Sequence, residues 1–209
     1  MARPMKSPAA VIIAALLTAS AAWAAEPQPA FKADPAKGQA ASGACVACHT
    51  ADGSRGSPAN PILQGQHPEY IVKQLQEFKS GKRKNAVMTA MAGPLNDETM
   101  QHIAAFFAGK TAKPGFAKHK DTIALGERIY RGGVMERQIP ACAGCHSPTG
   151  AGIPAQFPRV AGQHADYAEA QLLAFRSGER ANGPMMRTIA GRMTDREIKA
   201  VSDYMAGLR

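Results

Sequence analysis

The stretch Cys45-Val46-Ala47-Cys48-His49 recurs as Cys142-Ala143-Gly144-Cys145-His146, and the reading of this pair decides the fold. Two thiols three residues apart on one helical turn can each bond a vinyl group of one porphyrin. The His that follows then lies where it reaches the iron. The spacing predicts two covalently bound haem c groups, attached through Cys45, Cys48, Cys142 and Cys145, with His49 and His146 as iron ligands. Four cysteines in an exported chain would otherwise suggest two disulfides, but a structural disulfide has no use for the adjoining His. A zinc site would need further ligands at a matched spacing. A thioredoxin-like pair would sit in a βαβ pattern, which the sequence lacks.

Outward from the motifs, the chain reads as a duplication. A shift of 97 carries Cys45 onto Cys142, Pro61 onto Pro158, and Gly65-Gln66-His67 onto Gly162-Gln163-His164. It also carries Tyr70 onto Tyr167, Gln74-Leu75 onto Gln171-Leu172, Phe78 onto Phe175 and Asn85 onto Asn182. Beyond Asn182 the shift becomes 98, so one residue is inserted between Asn182 and Met193. Upstream, Gly126 is the counterpart of Gly38, and the second copy carries about nine extra residues within 131–139. The stretch 110–120, with Pro114, Gly115 and four lysines, has no apolar periodicity and reads as a linker. The expected organisation is a leader at 1–24, a first unit at 25–110, a linker at 111–119 and a second unit at 120–209.

Each unit repeats one coarse order. A short helix, capped by Asp34 and opened by Pro35 in the first copy, leads into the motif. A long loop follows, then a helix of about twelve residues with Ile71, Leu75 and Phe78 on one face of a 3.6 period. A Gly-containing loop is expected to carry Met88. A last helix begins near Asn96, with Met100, Ile103 and Phe107 on one stripe. Thr194 to Glu197 forms the matching capping-box start in the second copy. Nothing alternates as a strand, so the fold class is all-α with long loops. Units of about 85 residues with this much loop are poor at building a core alone, and a buried haem would supply the missing apolar surface.

The sixth iron ligand separates electron carriage from small-molecule chemistry. The chain has ten methionines, and most methionines are core filler. The register between copies selects among them. Met91 and Met100 have no counterpart, whereas Met88 falls on the pair Met185-Met186. Met186 lies seven residues before Met193, as Met88 lies seven before Leu95, so Met88 and Met186 are the expected ligands. The repeated His67 and His164 are the rivals, with a capping or surface role as the simpler reading. His102 and His119 are unrepeated and expected to be solvated. The imidazole nitrogen not facing iron normally donates to a carbonyl, and Pro61 and Pro158, each twelve residues after its His, are expected to supply it.

Arg3 and Lys6, the uncharged apolar run at 9–22 and the small residues of Ala22-Trp23-Ala24 read as a cleaved signal peptide. The run is too short for a membrane span. Losing Arg3 and Lys6 takes the formal charge from +9 to +7. No basic run interleaved with aromatics suggests nucleic acid. The cluster Lys79, Lys82, Arg83, Lys84 reads as a solvated helix end or as a docking patch for an acidic partner. No Ser/His/Asp set, paired carboxylates or phosphate-cradling loop argues for an enzyme.

The runs Ile139-Pro140-Ala141 into the second motif, Arg131-Gly132-Gly133, Pro158 to His164, Lys73-Gln74-Leu75-Gln76 and Tyr204-Met205-Ala206-Gly207-Leu208 resemble the dihaem cytochromes c4, built of two fused class I cytochrome c units. The resemblance covers nearly all of the mature chain. It implies two tandem cytochrome c-like helical domains, each wrapped around one covalent haem, that face each other across a pseudo-twofold axis. It implies His/Met ligation by His49 with Met88 and His146 with Met186. It further implies a periplasmic electron carrier, often loosely attached to the inner membrane, with an upstream quinol-oxidising complex and a terminal oxidase as redox partners. The alternative is the haem subunit of a dihaem oxidoreductase such as a thiosulfate dehydrogenase or peroxidase. The short loop between Gly81 and Met88 departs from the family pattern and bears on haem exposure in the first unit.

Overall fold

The computed structural model describes Met1 and residues 31–209. The expected leader and its cleavage point lie outside the described residues. Within 32–209, α1 (Pro35–Ala41), α2 (Gly43–His49), α3 (Pro68–Lys79), α4 (Ala86–Ala92) and α5 (Asp97–Ala108) make the first half. The second half holds α6 (Ile123–Gly132), a 3₁₀ turn (Met135–Arg137), α7 (Ala143–His146), α8 (Ala165–Ser177), α9 (Pro184–Ala190) and α10 (Asp195–Gly207). Only two isolated β-bridges occur among the described residues, in keeping with the all-α expectation.

Local chemistry starts the helices where the sequence placed them. The Asp34 carboxylate accepts from the Ala36 and Lys37 amides ahead of α1. Asn96 caps α5 through the Thr99 amide, and Thr194 and Glu197 close a reciprocal capping box on α10. Each half then folds its first helix across its last. At these crossings a side chain would collide with backbone: a Cβ on Gly38 would lie 1.9 Å from the His102 carbonyl oxygen, and one on Gly126 2.2 Å from that of Ala200. His102 and Ala200 are themselves 98 apart, so Gly38 and Gly126 are true counterparts.

The two cores occupy matching positions. Leu75, Phe78, Ala92, Met100, Ile103 and Phe107 are buried in the first. Leu172, Phe175, Ala190, Ile198, Val201 and Met205, in the same order, are buried in the second. The nine-residue insertion forms a tight excursion: Val134 bridges Ile139 and encloses the 3₁₀ turn. Arg137 anchors it to the start of α10, bonding the Glu197 carboxylate and the Arg192 carbonyl. The linker is held rather than slack. The buried Asp203 carboxylate accepts the Lys118 and His119 amides, and the Arg55 guanidinium reaches the Lys113 carbonyl.

Three expectations are corrected. Met88 lies on a short helix, α4, because Asn85 caps it through the Met88 amide. His102 is buried rather than solvated, its Nδ1 accepting the Asp34 amide at 2.8 Å. Arg83 leaves the basic cluster and is buried between the halves.

Gly126→Ala is expected to destabilise the haem-loaded protein by about 1–3 kcal/mol through forced separation of α6 and α10, read as a lower denaturant midpoint at unchanged slope. A second expectation concerns Glu197. Hydrogen bonds from Arg137, with burial opposing and Thr194 adding, hold its carboxyl down at about 2, below the ordinary 4.5. A depressed native value gives stability that is present above 4.5 and lost as pH falls toward 2. Glu197→Gln should therefore unfold earlier in urea at pH 7, and the gap from wild type should close as the pH is stepped down through that window.

Candidate haem sites

Each attachment motif ends its helix on the His. His49 closes α2 and His146 closes α7, and the next residue in each case turns out of the helix with positive φ, Thr50 at 44° and Ser147 at 67°. The chain then loops back so that a proline carbonyl meets the ring. Nδ1 of His49 lies 2.9 Å from the Pro61 oxygen, and Nδ1 of His146 lies 2.9 Å from the Pro158 oxygen. A carbonyl can only accept, so Nδ1 carries the proton and the Nε2 lone pair is left for another partner. Burial lowers the pKa of both imidazoles, against the smaller effect of the carbonyl bond. Both rings are thus neutral and oriented, the state a metal-ligating imidazole needs.

The thiols fit covalent attachment better than redox exchange. Burial raises the Cys45 thiol and pushes that of Cys142 up to about 11, the opposite of the depressed values of reactive pairs. No disulfide joins them, and among the described residues no cluster of three His, Cys, Asp or Glu could form a zinc set.

The methionine helices share a register. Met88 is the third residue of α4 and Met186 the third of α9, and each is half-buried against the core of its own half. Met185 is 55 % exposed and Met91 44 % exposed. The extra residue of the second copy is Gly183, which takes the capping place that Asn85 holds in the first. Among the rivals, Nε2 of His164 is committed to the Arg55 carbonyl at 2.6 Å, whereas Nε2 of His67 is buried with no protein partner.

The two halves meet through reciprocal pairs that the motif reading missed. Gln66 exchanges two hydrogen bonds with the Arg159 backbone, and Gln163 exchanges two with the Ile62 backbone. Ile62 and Arg159 directly follow the prolines that orient the imidazoles. Deeper in the junction, Arg83 bonds Gln74, Tyr167 and Gln171, and Arg180 bonds Gln171, Tyr70, Gln74 and Asn182. Each guanidinium also stacks on the phenylalanine of its own half, Arg83 over Phe78 at 4.5 Å and Arg180 over Phe175 at 4.3 Å. The signal was available in the sequence, since the shift of 97 carries Arg83 onto Arg180. Both arginines are buried and hydrogen-bond only to neutral groups, the Glu77 carboxylate being reached through Gln74 and Asn182, and direct charge pairing is lacking. A cofactor bringing carboxylates of its own, as haem does, suits that environment, and the residues present fit the group.

An all-helical unit that ends a Cys-x-x-Cys helix on an oriented, neutral imidazole is the construction of a c-type cytochrome, and here it stands twice in tandem. The cytochrome c family profile matches residues 35–111 and 123–209. Cytochrome c4 of Thiocapsa roseopersicina is 49 % identical over 180 residues, covering 84 % of this chain and 93 % of that protein. A thiosulfate dehydrogenase electron acceptor of Stutzerimonas stutzeri is 40 % identical over 202 residues, covering 94 % and 92 %. The crystal structure of reduced recombinant cytochrome c4 from Pseudomonas stutzeri superposes with a TM-score of 0.81 at 38 % identity, covering 85 % of this chain and 100 % of that one. The chain belongs to the dihaem cytochrome c4 family; it is an electron-transfer protein with two haem c groups and not an enzyme.

The junction provides a direct test of its own reciprocity. Arg180→Ala strands Gln74 and Tyr70 and should cost about 1–3 kcal/mol. A double-mutant cycle with Tyr70→Phe should give a coupling energy of about 0.5–3 kcal/mol, measured by chemical unfolding of the holoprotein.

Proposed function

We propose that the chain is a periplasmic relay in which His49 with Met88, and His146 with Met186, hold the two irons. When bound, each haem supplies a one-electron iron couple, and thioether ligation raises its potential relative to a second imidazole. The observation that carries the reading is the duplicated arrangement: a neutral imidazole fixed by a proline carbonyl, with a half-buried methionine third in its helix. Cys45 with Cys48 and Cys142 with Cys145 are the anchoring thiols.

In this reading the protein's own groups do three things. The Pro61 and Pro158 carbonyls keep each ring in one tautomer and one orientation. The cores around Leu75 and Leu172 keep water from the sites. The reciprocal Gln and Arg bonds hold the two halves in one register, so that the distance between the sites stays fixed during exchange.

The functional units are 25–110 and 120–209, joined by 111–119, after a leader of residues 1–24 is removed on export. No described helix is long and apolar enough to cross a membrane. The partners are redox proteins, with an upstream quinol-oxidising complex as donor and a terminal oxidase as acceptor. The relative that serves as acceptor for thiosulfate dehydrogenase favours a second reading, in which the donor is that enzyme.

The ligand set is tested by spectra. Met88→Ala and Met186→Ala should each remove about half of the Met–iron charge-transfer absorbance of the ferric protein, and the double variant all of it. Met185→Ala should leave the band unchanged; loss of the band in Met185→Ala would exchange the assignment in the second half.

A further inference from the structure

The junction is nearly a copy of itself, and one of its exceptions is a buried carboxylate. Tyr70, Gln74, Phe78 and Arg83 have counterparts of the same type in Tyr167, Gln171, Phe175 and Arg180, with reciprocal bonds. Glu77 does not: a shift of 97 carries it onto Ala174. Glu77 is 6 % exposed. Its carboxylate accepts from Asn182 of the other half at 2.5 Å, from Lys73 at 2.7 Å and from Gln74 at 3.4 Å, and pairs with Lys82 at 3.2 Å. Burial acts to raise its pKa but is outweighed by the bonds from Lys73, Asn182 and Lys82, so it is ionised. Asn182 is free to reach it because Gly183 has taken over the capping role, whereas the matching Asn85 stays on the surface capping α4.

We propose that Glu77 is a potential-setting residue, the buried charge that makes the two otherwise duplicate iron sites unequal in electron affinity. The proposal rests on the two-iron reading above. An iron site gains one positive charge on oxidation, and a buried carboxylate favours that state, lowering the potential of whichever site it lies nearer. The buried Arg83 and Arg180 share its amide partners Gln74 and Asn182, but they hold equivalent places in the two halves and so act on both sites alike; Lys73 and Lys82 do not cancel it. Their side chains are 49 % and 64 % exposed, against 8 % for that of Glu77, so their charges are screened by water more strongly than its own. A symmetric pair of carboxylates would move both sites together. A single one, facing Ala174 across the pseudo-twofold relation, moves them apart and gives the relay a built-in direction.

Redox titration of the full holoprotein, resolved into two one-electron components, tests this. Glu77→Gln should shift at least one component toward reduction by about threefold, close to 30 mV, and should alter the separation between the two. Glu77→Asp, which keeps the charge, should shift neither by as much. Ala174 lines a hollow open to water with Ala170, Leu173, Arg176 and Glu179, so Ala174→Glu has room to fold; its carboxylate is screened there, and it should move the separation opposite to Glu77→Gln by a smaller amount. Immobile midpoints in Glu77→Gln, or equal shifts in Glu77→Gln and Glu77→Asp, overturn the proposal. A wrong ligand set would show separately, as a missing Met–iron band in the unmutated protein during the same titration.

Discussion

The hydrogen bond from each imidazole Nδ1 to a proline carbonyl is the constraint on which the rest of the molecule depends. It leaves one nitrogen free, and only in one direction. Proline suits the accepting position because it has no N–H to compete and its φ is restricted, so the carbonyl is held in place by the loop itself. The residue after each proline, Ile62 or Arg159, then gives its backbone N–H and C=O to a glutamine of the opposite half. Ring orientation in one half is therefore tied to the position of the other through a single intervening peptide. A relay needs both sites rigid and their spacing constant, and this short chain of bonds addresses both needs.

The duplicated architecture explains how two small, loop-rich units reach stability. Each core is modest, and each unit lays its first helix against its last so closely that Gly38 and Gly126 have no room for a Cβ. What the cores lack, the junction and the cofactor share. The junction is polar rather than apolar, built from two stacked guanidiniums, four glutamines and two tyrosines, so its specificity comes from hydrogen-bond geometry more than from buried area. Because the same residues serve both sides, it is self-complementary in the manner of a twofold dimer interface. The departures from that symmetry are small and local: the Asp203 anchor for the linker, the His164 bond to Arg55, and Glu77 facing Asn182.

Much of this was legible in the sequence because it is encoded locally. The Cys-x-x-Cys-His spacing, the caps at Asp34, Asn96 and Thr194, the stripe of Ile71, Leu75 and Phe78, and the twelve-residue offset of Pro61 and Pro158 depend on neighbours in the chain. Equivalent positions in a repeat share an environment, so the register between the copies matches Gly126 to Gly38. Where reasoning from the chain failed, the decisive contacts are far apart in sequence. His102 was expected in water, but a helix crossing brings Asp34 over it. Arg83 was grouped with Lys79, Lys82 and Lys84 because all four are basic and adjacent, yet its partners Tyr167 and Gln171 lie 84 and 88 residues away.

By itself, then, the sequence determined the cofactor chemistry, the helical class and the two-unit plan, because covalent attachment, capping and amphipathic periodicity are properties of short segments. Tertiary structure alone decided which polar residues are buried, that Asn182 turns inward while Asn85 stays outside, and that one carboxylate sits at the junction without a twin. Those outcomes follow from docking one half against the other, and the cost of burying a charge or leaving it in water is set by that packing rather than by the neighbours of Glu77 along the chain.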